Sequence, residues 1–484
     1  MQSLFSLLHV LGGVVFLFGL TLSLPILVAW LNEEPTLNLF VKDLFFTCGA
    51  GFLLWGLFRP FRRELRIKDG FLLVALVWAG LPLFGMLPLL SYLDISVTDA
   101  YFEAVSGLTA TGATVLTGLD DLPASINIWR GEMQWFGGMG VIVLAVAILP
   151  MLGIGGRQLF KAETPGPMKE TRLTPRIAQT AKGLWLIYAG LTVVCFAAYW
   201  AFGMSWTDAL MHAFTTMGLA GFSSHDASFG HFDSQALEII AITFMLVSGI
   251  NFATHFNFVR SRTFNVYNHD GEAKTFVLTV LISGVLIGVY LWGMGQYSDI
   301  GTALRHAVFN TVSVATTTGY ATTDFGLWPA FAGLWMLLLG TFSTSSGSTG
   351  GGIKMIRARL LFLQLYRELN RLLHPSAHIP LRYAGAPVPN QIIFAVLVFF
   401  FVFTLTAVIM TLIMMATGLD PVTAVTAVIA TLSNIGPGLG QVGPSGTFAV
   451  LNDFQTWLCA FAMVLGRLEM FTFLVVLTPA FWRK

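Results

Sequence analysis

Thr109-Ala110-Thr111-Gly112-Ala113-Thr114 is a short stretch that the chain writes four times in varied form. The other copies are Met217-Gly218-Leu219-Ala220-Gly221-Phe222-Ser223, Ala315-Thr316-Thr317-Thr318-Gly319-Tyr320-Ala321 and Leu432-Ser433-Asn434-Ile435-Gly436-Pro437-Gly438. Counted back twelve residues from Gly112, Gly221, Gly319 and Gly436, an alanine stands each time: Ala100, Ala209, Ala307 and Ala424. One position earlier the match decays to Asp99, Asp208, His306 and Thr423. A spacing of roughly 100–120 residues is a repeat of domain-like size. Four diverged copies in one chain predict a pseudo-fourfold object built around one axis.

The solvent of that object follows from composition. Of 484 residues, 55% are hydrophobic and 11% charged, with a mean hydropathy of +0.75. Soluble proteins carry about 25% charged residues, so this chain belongs in a bilayer. A net charge of +1 gives no reason to expect a nucleic-acid partner. Cys48, Cys195 and Cys459 sit scattered in apolar stretches, which makes neither a disulfide framework nor a metal site. The first apolar run starts almost at Met1 without a basic leader or cleavage site, and is read as a retained span.

Apolar runs of about 20 residues cross as helices. Two precede the repeats, at roughly 4–30 and 39–58. Each repeat then runs span, short re-entrant helix, glycine segment, span. The spans are placed at 70–92 and 132–152, 183–203 and 235–257, 275–294 and a long segment from about 329, and 391–417 and 453–478. The fold class is therefore an all-α polytopic membrane protein. It is divided into two N-terminal spans (1–69) and pore repeats at 70–156, 157–262, 263–382 and 383–484. Re-entrant helices such as Asp99–Leu108 are too short to cross, and irregular backbone at membrane depth is tolerated only against protein or a wet cavity. With this layout 22 of the 26 lysines and arginines fall on one side, leaving Lys42, Arg130, Arg305 and Arg467. Basic residues mark cytoplasmic loops. Both termini are thus expected in the cytoplasm, and the glycine segments open outward.

A dehydrated cation needs several oxygens at once, and a ring of backbone carbonyls supplies them. Glycine adopts the required backbone cheaply, and helix C-termini aimed at the axis favour a cation. Thr111-Gly112, Ala220-Gly221, Thr318-Gly319 and Ile435-Gly436 offer carbonyls at equivalent heights, with neither an acidic nor a basic ring beside them. The competing explanation, small residues serving helix packing, fits one copy better than four in register. An embedded enzyme is disfavoured: no HExxH, His/Asp cluster or nucleophile–base set stands at membrane depth.

On these motifs the chain resembles bacterial Trk-type potassium uptake transmembrane subunits (TrkH, TrkG, TrkI), in the superfamily of the Ktr and HKT transporters. The resemblance covers the whole chain and adds Gly347-Ser348-Thr349-Gly350-Gly351-Gly352-Ile353-Lys354 and Gly466-Arg467-Leu468-Glu469. It implies a K+ pathway in the bacterial inner membrane, a homodimer, and a TrkA-like cytoplasmic regulatory subunit that binds a nucleotide of the NAD, ATP or ADP type. Glycine rather than serine at position 112 is, by the same resemblance, the choice that accompanies potassium. The copies depart from the strict TVGYG of potassium channels, with Thr317-Thr318-Gly319-Tyr320 nearest. Beyond the transported K+ no cofactor is implied.

Residues 340–352 interrupt the second span of repeat 3 with small and polar side chains that must face protein or the pore. They resemble the family's gating loop beneath the filter, with Gly347, Gly350, Gly351, Gly352 and Lys354. A P-loop is rejected because Ile353 separates glycine from Lys354 and no Ser or Thr follows. Arg467 is the only basic residue well inside a predicted span, at a cost of about 2.5–3.5 kcal/mol. It is read as a charge below the filter touching that loop, with a structural ion pair as the alternative. Glu469 lies two residues away and points elsewhere on a helix, so it is not the expected partner. Glu103, His212 and Asn310, nine residues before their glycines, are read as polar packing behind the filter. Pro375 between His374 and His378 argues against a metal site there. Coupled K+/H+ or K+/Na+ symport needs a titratable pathway residue, and Arg467 does not titrate, so channel-like passage is favoured over a symporter.

Overall fold

The computed structural model describes residues 2–63, 65–143, 177–383 and 386–483. The predicted end of the span 132–152, and the basic residues Arg157, Lys161, Lys169, Arg172 and Arg176, lie outside them. Before the repeats come α1 (Gln2–Thr21), α2 (Ser23–Leu31) and α3 (Leu37–Leu57). α1 and α3 cross where Gly12 meets Gly51: a Cβ on either would lie 2.8 Å from the other's carbonyl oxygen. Small residues of this kind let backbones approach in lipid, where there is no hydrophobic drive between helices.

Repeat 1 contains α4 (Ile67–Gly85), the re-entrant α5 (Val97–Leu108) and α6 (Ala124–Val143). Repeat 2 contains α7 (Ile177–Ala201), the re-entrant α8 (Trp206–Gly218), α9 (Gln235–Ser248) and α10 (Phe252–Ser261). Repeat 3 contains α11 (Gly271–Gly293), the re-entrant α12 (Ile300–Ala315), α13 (Ala330–Phe342) and α14 (Met355–Leu373). Repeat 4 contains α15 (Asn390–Ala416), the re-entrant α16 (Pro421–Leu432), α17 (Asp453–Arg467) and α18 (Phe471–Leu477). A two-residue ribbon, Arg382–Tyr383 against Ala386–Pro387, is the only sheet among the described residues. The architecture is all-α and multi-pass.

The re-entrant helices start on one device. Ser96, Ser205, Asp299 and Asp420 each accept the backbone amide three residues on, which satisfies a donor that no helical carbonyl can reach. Their C-terminal ends pack on small residues of the following helix. A Cβ on Gly137, Gly340 or Gly466 would collide with the carbonyl of Leu108, Val314 or Leu432. In repeat 2 the same place is taken by Ser248, whose hydroxyl donates to Met217 Sδ at 3.3 Å.

The second spans depart from expectation. Among the described residues six helices are long and apolar enough to cross: Leu4–Leu31, Leu37–Leu57, Lys68–Tyr92, Ala181–Ala201, Gly271–Gly293 and Asn390–Ala416. The predicted spans 235–257 and 453–478 are instead bent pairs, α9/α10 at 94° and α17/α18 at 116°. In repeat 3, α13 stops after 13 residues. Apolar counting passes over such breaks, because Gly249-Ile250-Asn251 and Leu468-Glu469-Met470 barely dent hydropathy. α6 starts at Ala124, not 132, which puts Arg130 and Glu132 inside it. Arg467 is therefore not the only basic residue within these helices.

Candidate functional site

The four glycine segments share one backbone. Two residues before each glycine stands a non-glycine residue at positive φ: Ala110 at 52°, Leu219 at 51°, Thr317 at 63° and Asn434 at 55°. The glycines follow at 84°, 75°, 90° and 101°. An L-residue in the left-handed region costs roughly 1–2 kcal/mol and persists where surrounding structure over-determines it.

Those surroundings form a closed ring. A Cβ on Gly112 would collide with the Ala220 carbonyl oxygen, on Gly221 with that of Thr318, and on Gly319 with that of Ile435. On Gly436 it would lie 2.9 Å from the Thr111 carbonyl oxygen. Each glycine thus abuts the carbonyl that precedes the next repeat's glycine, and the fourth returns to the first. All eight residues singled out from the sequence (Thr111, Gly112, Ala220, Gly221, Thr318, Gly319, Ile435, Gly436) are brought together here. Gly112, Gly221 and Gly319 also line a cavity of about 310 Å³ on one side of the ring.

Side chains behind the ring hold it, by a different chemistry in each repeat. Glu103 accepts the Val115 amide at 3.1 Å and the Thr114 hydroxyl at 3.0 Å. It also accepts Arg130 Nε at 2.9 Å and Nη2 at 2.8 Å, with both side chains fully buried. Arg130 Nη1 donates to the Ser223 carbonyl at 3.0 Å, tying repeat 1 to repeat 2. A buried pair holds only when its remaining donors and acceptors are met, and these are. His212 sits 3.0 Å from the Ser223 hydroxyl and Asn310 Nδ2 donates to the Thr322 hydroxyl at 2.9 Å. In repeat 4, Thr426 bonds both the amide and the carbonyl of Leu439. Gln134 clamps repeat 2, donating to the Ala220 carbonyl at 2.8 Å and accepting the Phe222 amide at 3.0 Å. At the cavity rim Asp226 accepts the Gly118 and Leu119 amides. Burial alone would raise the nearby Asp208 carboxyl, but hydrogen bonds with His225, Ser205 and Ser224 outweigh it and hold that carboxyl well below its ordinary value.

On the other side of the ring lies the segment joining α13 to α14, with Ser343, Ser345, Ser348 and Thr349 fully buried. It touches residues just before the glycines: Thr349 Oγ1 donates to the Met217 carbonyl, the Gly351 amide to Thr317 Oγ1, and a Cβ on Gly351 would strike the Ser433 carbonyl. It is stitched to the break in repeat 2, since Ser345 N donates to the Gly249 carbonyl and Phe252 N to that of Gly347, each at 3.0 Å. Glu272 accepts the Ser346 amide at 2.8 Å and the Ile356 amide at 3.1 Å, anchoring both ends. Gly347 and Gly352 have φ of 72° and 76°, and so does Lys354 at 76°. The Lys354 ammonium donates to the Gly350 carbonyl.

Arg467 donates to two carbonyls, that of Thr349 in this segment at 3.0 Å and that of Gly137 in α6 at 2.9 Å. Among the described residues it has no carboxylate within ion-pair distance. Glu469 does have a partner: Arg357 Nη2 on α14, at 2.6 Å. Sequence reasoning missed Arg130, Gln134, Glu272 and the Arg357–Glu469 pair. Arg130 had left a signal, as an off-side basic residue in the same repeat as the buried acid Glu103.

Residues 37–484 match the TrkH family, described as "Cation transport protein". A "Trk system potassium uptake protein TrkH" from Halomonas elongata is 47% identical over 485 residues, all of both chains. The protein of that name from Escherichia coli K12 is 43% identical, over 99% of each chain. The crystal structure of the potassium transporter TrkH from Vibrio parahaemolyticus superposes with a TM-score of 0.91 at 43% identity, covering 100% of both chains.

Proposed function

Because the chain belongs to the TrkH family of cation transport proteins, we propose that it takes up potassium across the bacterial inner membrane through the four-segment ring. The observation that carries this is the closed cycle of glycine-to-carbonyl contacts from repeat 1 to repeat 4 and back. Such a ring replaces the hydration shell of a cation with backbone oxygens. Its relatives from Halomonas elongata and Escherichia coli, potassium uptake proteins by name, point to the identity of the ion. Termini and regulatory contacts face the cytoplasm, following the asymmetry of basic residues. The buried segment 343–354 is the gate: it fills the axis beneath the ring, and Arg467 and Lys354 bond to its carbonyls. The working unit is a homodimer under a TrkA-like cytoplasmic nucleotide-binding subunit, which releases the segment when it changes state.

A second reading, symport with H+ or Na+, is favoured by one observation. Glu132 on α6 is buried, and its Oε2 has no hydrogen-bond partner among the described residues. An acid at membrane depth is a candidate proton site by default. The test is flux into liposomes holding the purified protein. Rb+ uptake that exceeds Na+ uptake and runs without a proton gradient supports the channel-like reading. Rb+ uptake that stops without the gradient, and is uncoupled in Glu132→Gln, replaces it with the symporter. Equal Rb+ and Na+ uptake sinks the potassium filter.

A further inference from the structure

The wall of the cavity that holds Gly112, Gly221 and Gly319 also includes His225, and His225 belongs to a cluster that the ring does not use. Its Nδ1 lies 2.5 Å from Asp120 Oδ1, and His231 Nδ1 lies 3.6 Å from the same oxygen. The two imidazoles stack with centroids 3.5 Å apart and planes within 4° of parallel. One ligand atom from each of the three residues falls within 4.8 Å of the others. We propose that Asp120, His225 and His231 bind a divalent transition-metal ion of the zinc type, and that the bound ion slows cation entry into the ring. The second half rests on the transport reading above.

The donor set selects the ion class. Two imidazole nitrogens and one carboxylate oxygen suit zinc and its neighbours, whereas magnesium and calcium take oxygen sets. Three protein ligands leave a fourth position for water, as in open zinc sites. Bonds of about 2.1 Å in a tetrahedron put ligand atoms roughly 3.4 Å apart. The His231–Asp120 distance already matches that. The His225–Asp120 contact must lengthen, and the Asp120 side chain, 43% exposed, can turn about the hydrogen bond that its Oδ2 accepts from the Asp226 amide. Metal-bound imidazoles usually have a carboxylate behind the other ring nitrogen, and Asp208 Oδ1 stands 3.5 Å from His225 Nε2.

A loop clasp does not account for the cluster. Repeat 1 and repeat 2 are already clasped by Asp226 on the Gly118 and Leu119 amides and by the Asp226 amide on Asp120 Oδ2. The His231 ring, 45% exposed, adds no hydrogen bond to that clasp among the described residues. Parallel rings cannot both aim their in-plane lone pairs at one ion, so the half-exposed His231 ring must turn out of the stack to become the third ligand. A doubly charged ion at the cavity wall repels arriving cations over about 8 Å at physiological salt, which ties the site to the rate of entry.

The test uses the full chain and zinc itself. Zinc titration of purified protein by calorimetry should show one site per chain, weakened about tenfold or more in His231→Ala and in His231→Gln. Uptake of Rb+ by cells that depend on this chain should match wild type for both variants without zinc. External zinc should then slow wild type at the concentration that saturates binding and spare the variants. Unchanged zinc affinity in properly folded variants, checked by size exclusion, overturns the site. Zinc that binds in the wild type and leaves Rb+ uptake untouched overturns the throttle. A wild type that takes up no Rb+ at all defeats the transport reading, while the titration still decides the site on its own.

Discussion

The four glycine segments repeat one backbone, whereas the helix breaks on the far side of the ring share no geometry. Around the ring, each repeat has the same cap, the same left-handed residue two before the glycine, and the same contact with its neighbour. On the far side, repeat 2 breaks over three residues at 94°, repeat 4 over three at 116°, and repeat 3 through a buried segment of twelve residues, Ser343–Lys354. Coordinating a cation on an axis demands equivalent oxygens from every repeat. Filling that axis from one side demands the opposite, because only one segment fits. The contacts of residues 343–354 with Met217 and Ser433, beside Thr317 of their own repeat, show repeats 2 and 4 receiving what repeat 3 inserts. On the proposed function, selection belongs to the symmetric layer and control to the asymmetric one.

The most damaging way to break that division is to remove the brace that only repeat 1 has. Glu103→Gln leaves Arg130 buried without its charge partner, a loss of about 3–5 kcal/mol. The thermal midpoint, followed by size exclusion, should drop sharply, and Glu103→Gln with Arg130→Met should recover part of it. A midpoint within error of wild type would show that the ring stands without its ion pair. Next comes the ring itself. Gly112→Ser places a side chain at φ of 84° and against the Ala220 carbonyl, at roughly 1–2 kcal/mol for the conformation alone. The Rb+/Na+ uptake ratio should fall about tenfold, which corresponds to 1.4 kcal/mol. An unchanged ratio would remove selection from the symmetric layer.

How far each layer could be read in the sequence follows the same line. The glycines were legible because positive φ in a crowded ring leaves no alternative residue. Ala110, Leu219, Thr317 and Asn434 share that conformation but no chemistry, since tertiary contacts impose it. Residues 340–352 stood out through their small and polar side chains in an apolar span. The break at 249–251 did not, because Asn251, whose side chain accepts the Ala253 amide to start α10, is one polar residue in an apolar run. Glu272 was invisible for another reason: its partners are amides 74 and 84 residues away, a separation that no local pattern records.

The asymmetric layer has its own prediction. At an effective dielectric near 20, a unit charge about 8 Å from K+ raises its energy by roughly 2 kcal/mol, a slowing of tens-fold. Arg467→Ala removes that charge and frees the Thr349 carbonyl, so Rb+ flux per folded protein should rise by that order while the Rb+/Na+ ratio stays. Arg467→Lys keeps the charge and should stay close to wild type. A flux that rises with a collapsed ratio would mean the two layers are not separable.

The smallest expected effect tests the symmetry most closely. Ser96, Ser205, Asp299 and Asp420 occupy one position at the start of the four re-entrant helices, and each accepts one backbone amide. Replacing any of them by alanine should cost about 1 kcal/mol. The aspartates should cost somewhat more, by about 0.3–1 kcal/mol, because a carboxylate is also attracted by the positive N-terminal end of the helix dipole. Acidity adds a second test. Hydrogen bonds from Thr423, then Gln441, hold the Asp420 carboxyl below its ordinary 3.8. A group whose pKa is lowered by folding contributes in full above its unfolded value and loses that contribution as pH falls through the folded one. The cost of Asp420→Ala should therefore be constant from pH 7 to about 4.5 and shrink only below 3.8. The cost of Ser205→Ala should shrink in acid as well, because its hydroxyl also donates to the Asp208 carboxylate and helps to hold it below its ordinary value. Denaturant titrations of the four variants at pH 7 and pH 3 measure both statements. Unequal serine costs at pH 7, or an Asp420 cost that survives at the lower pH, would show that the caps differ in what they hold despite their shared position.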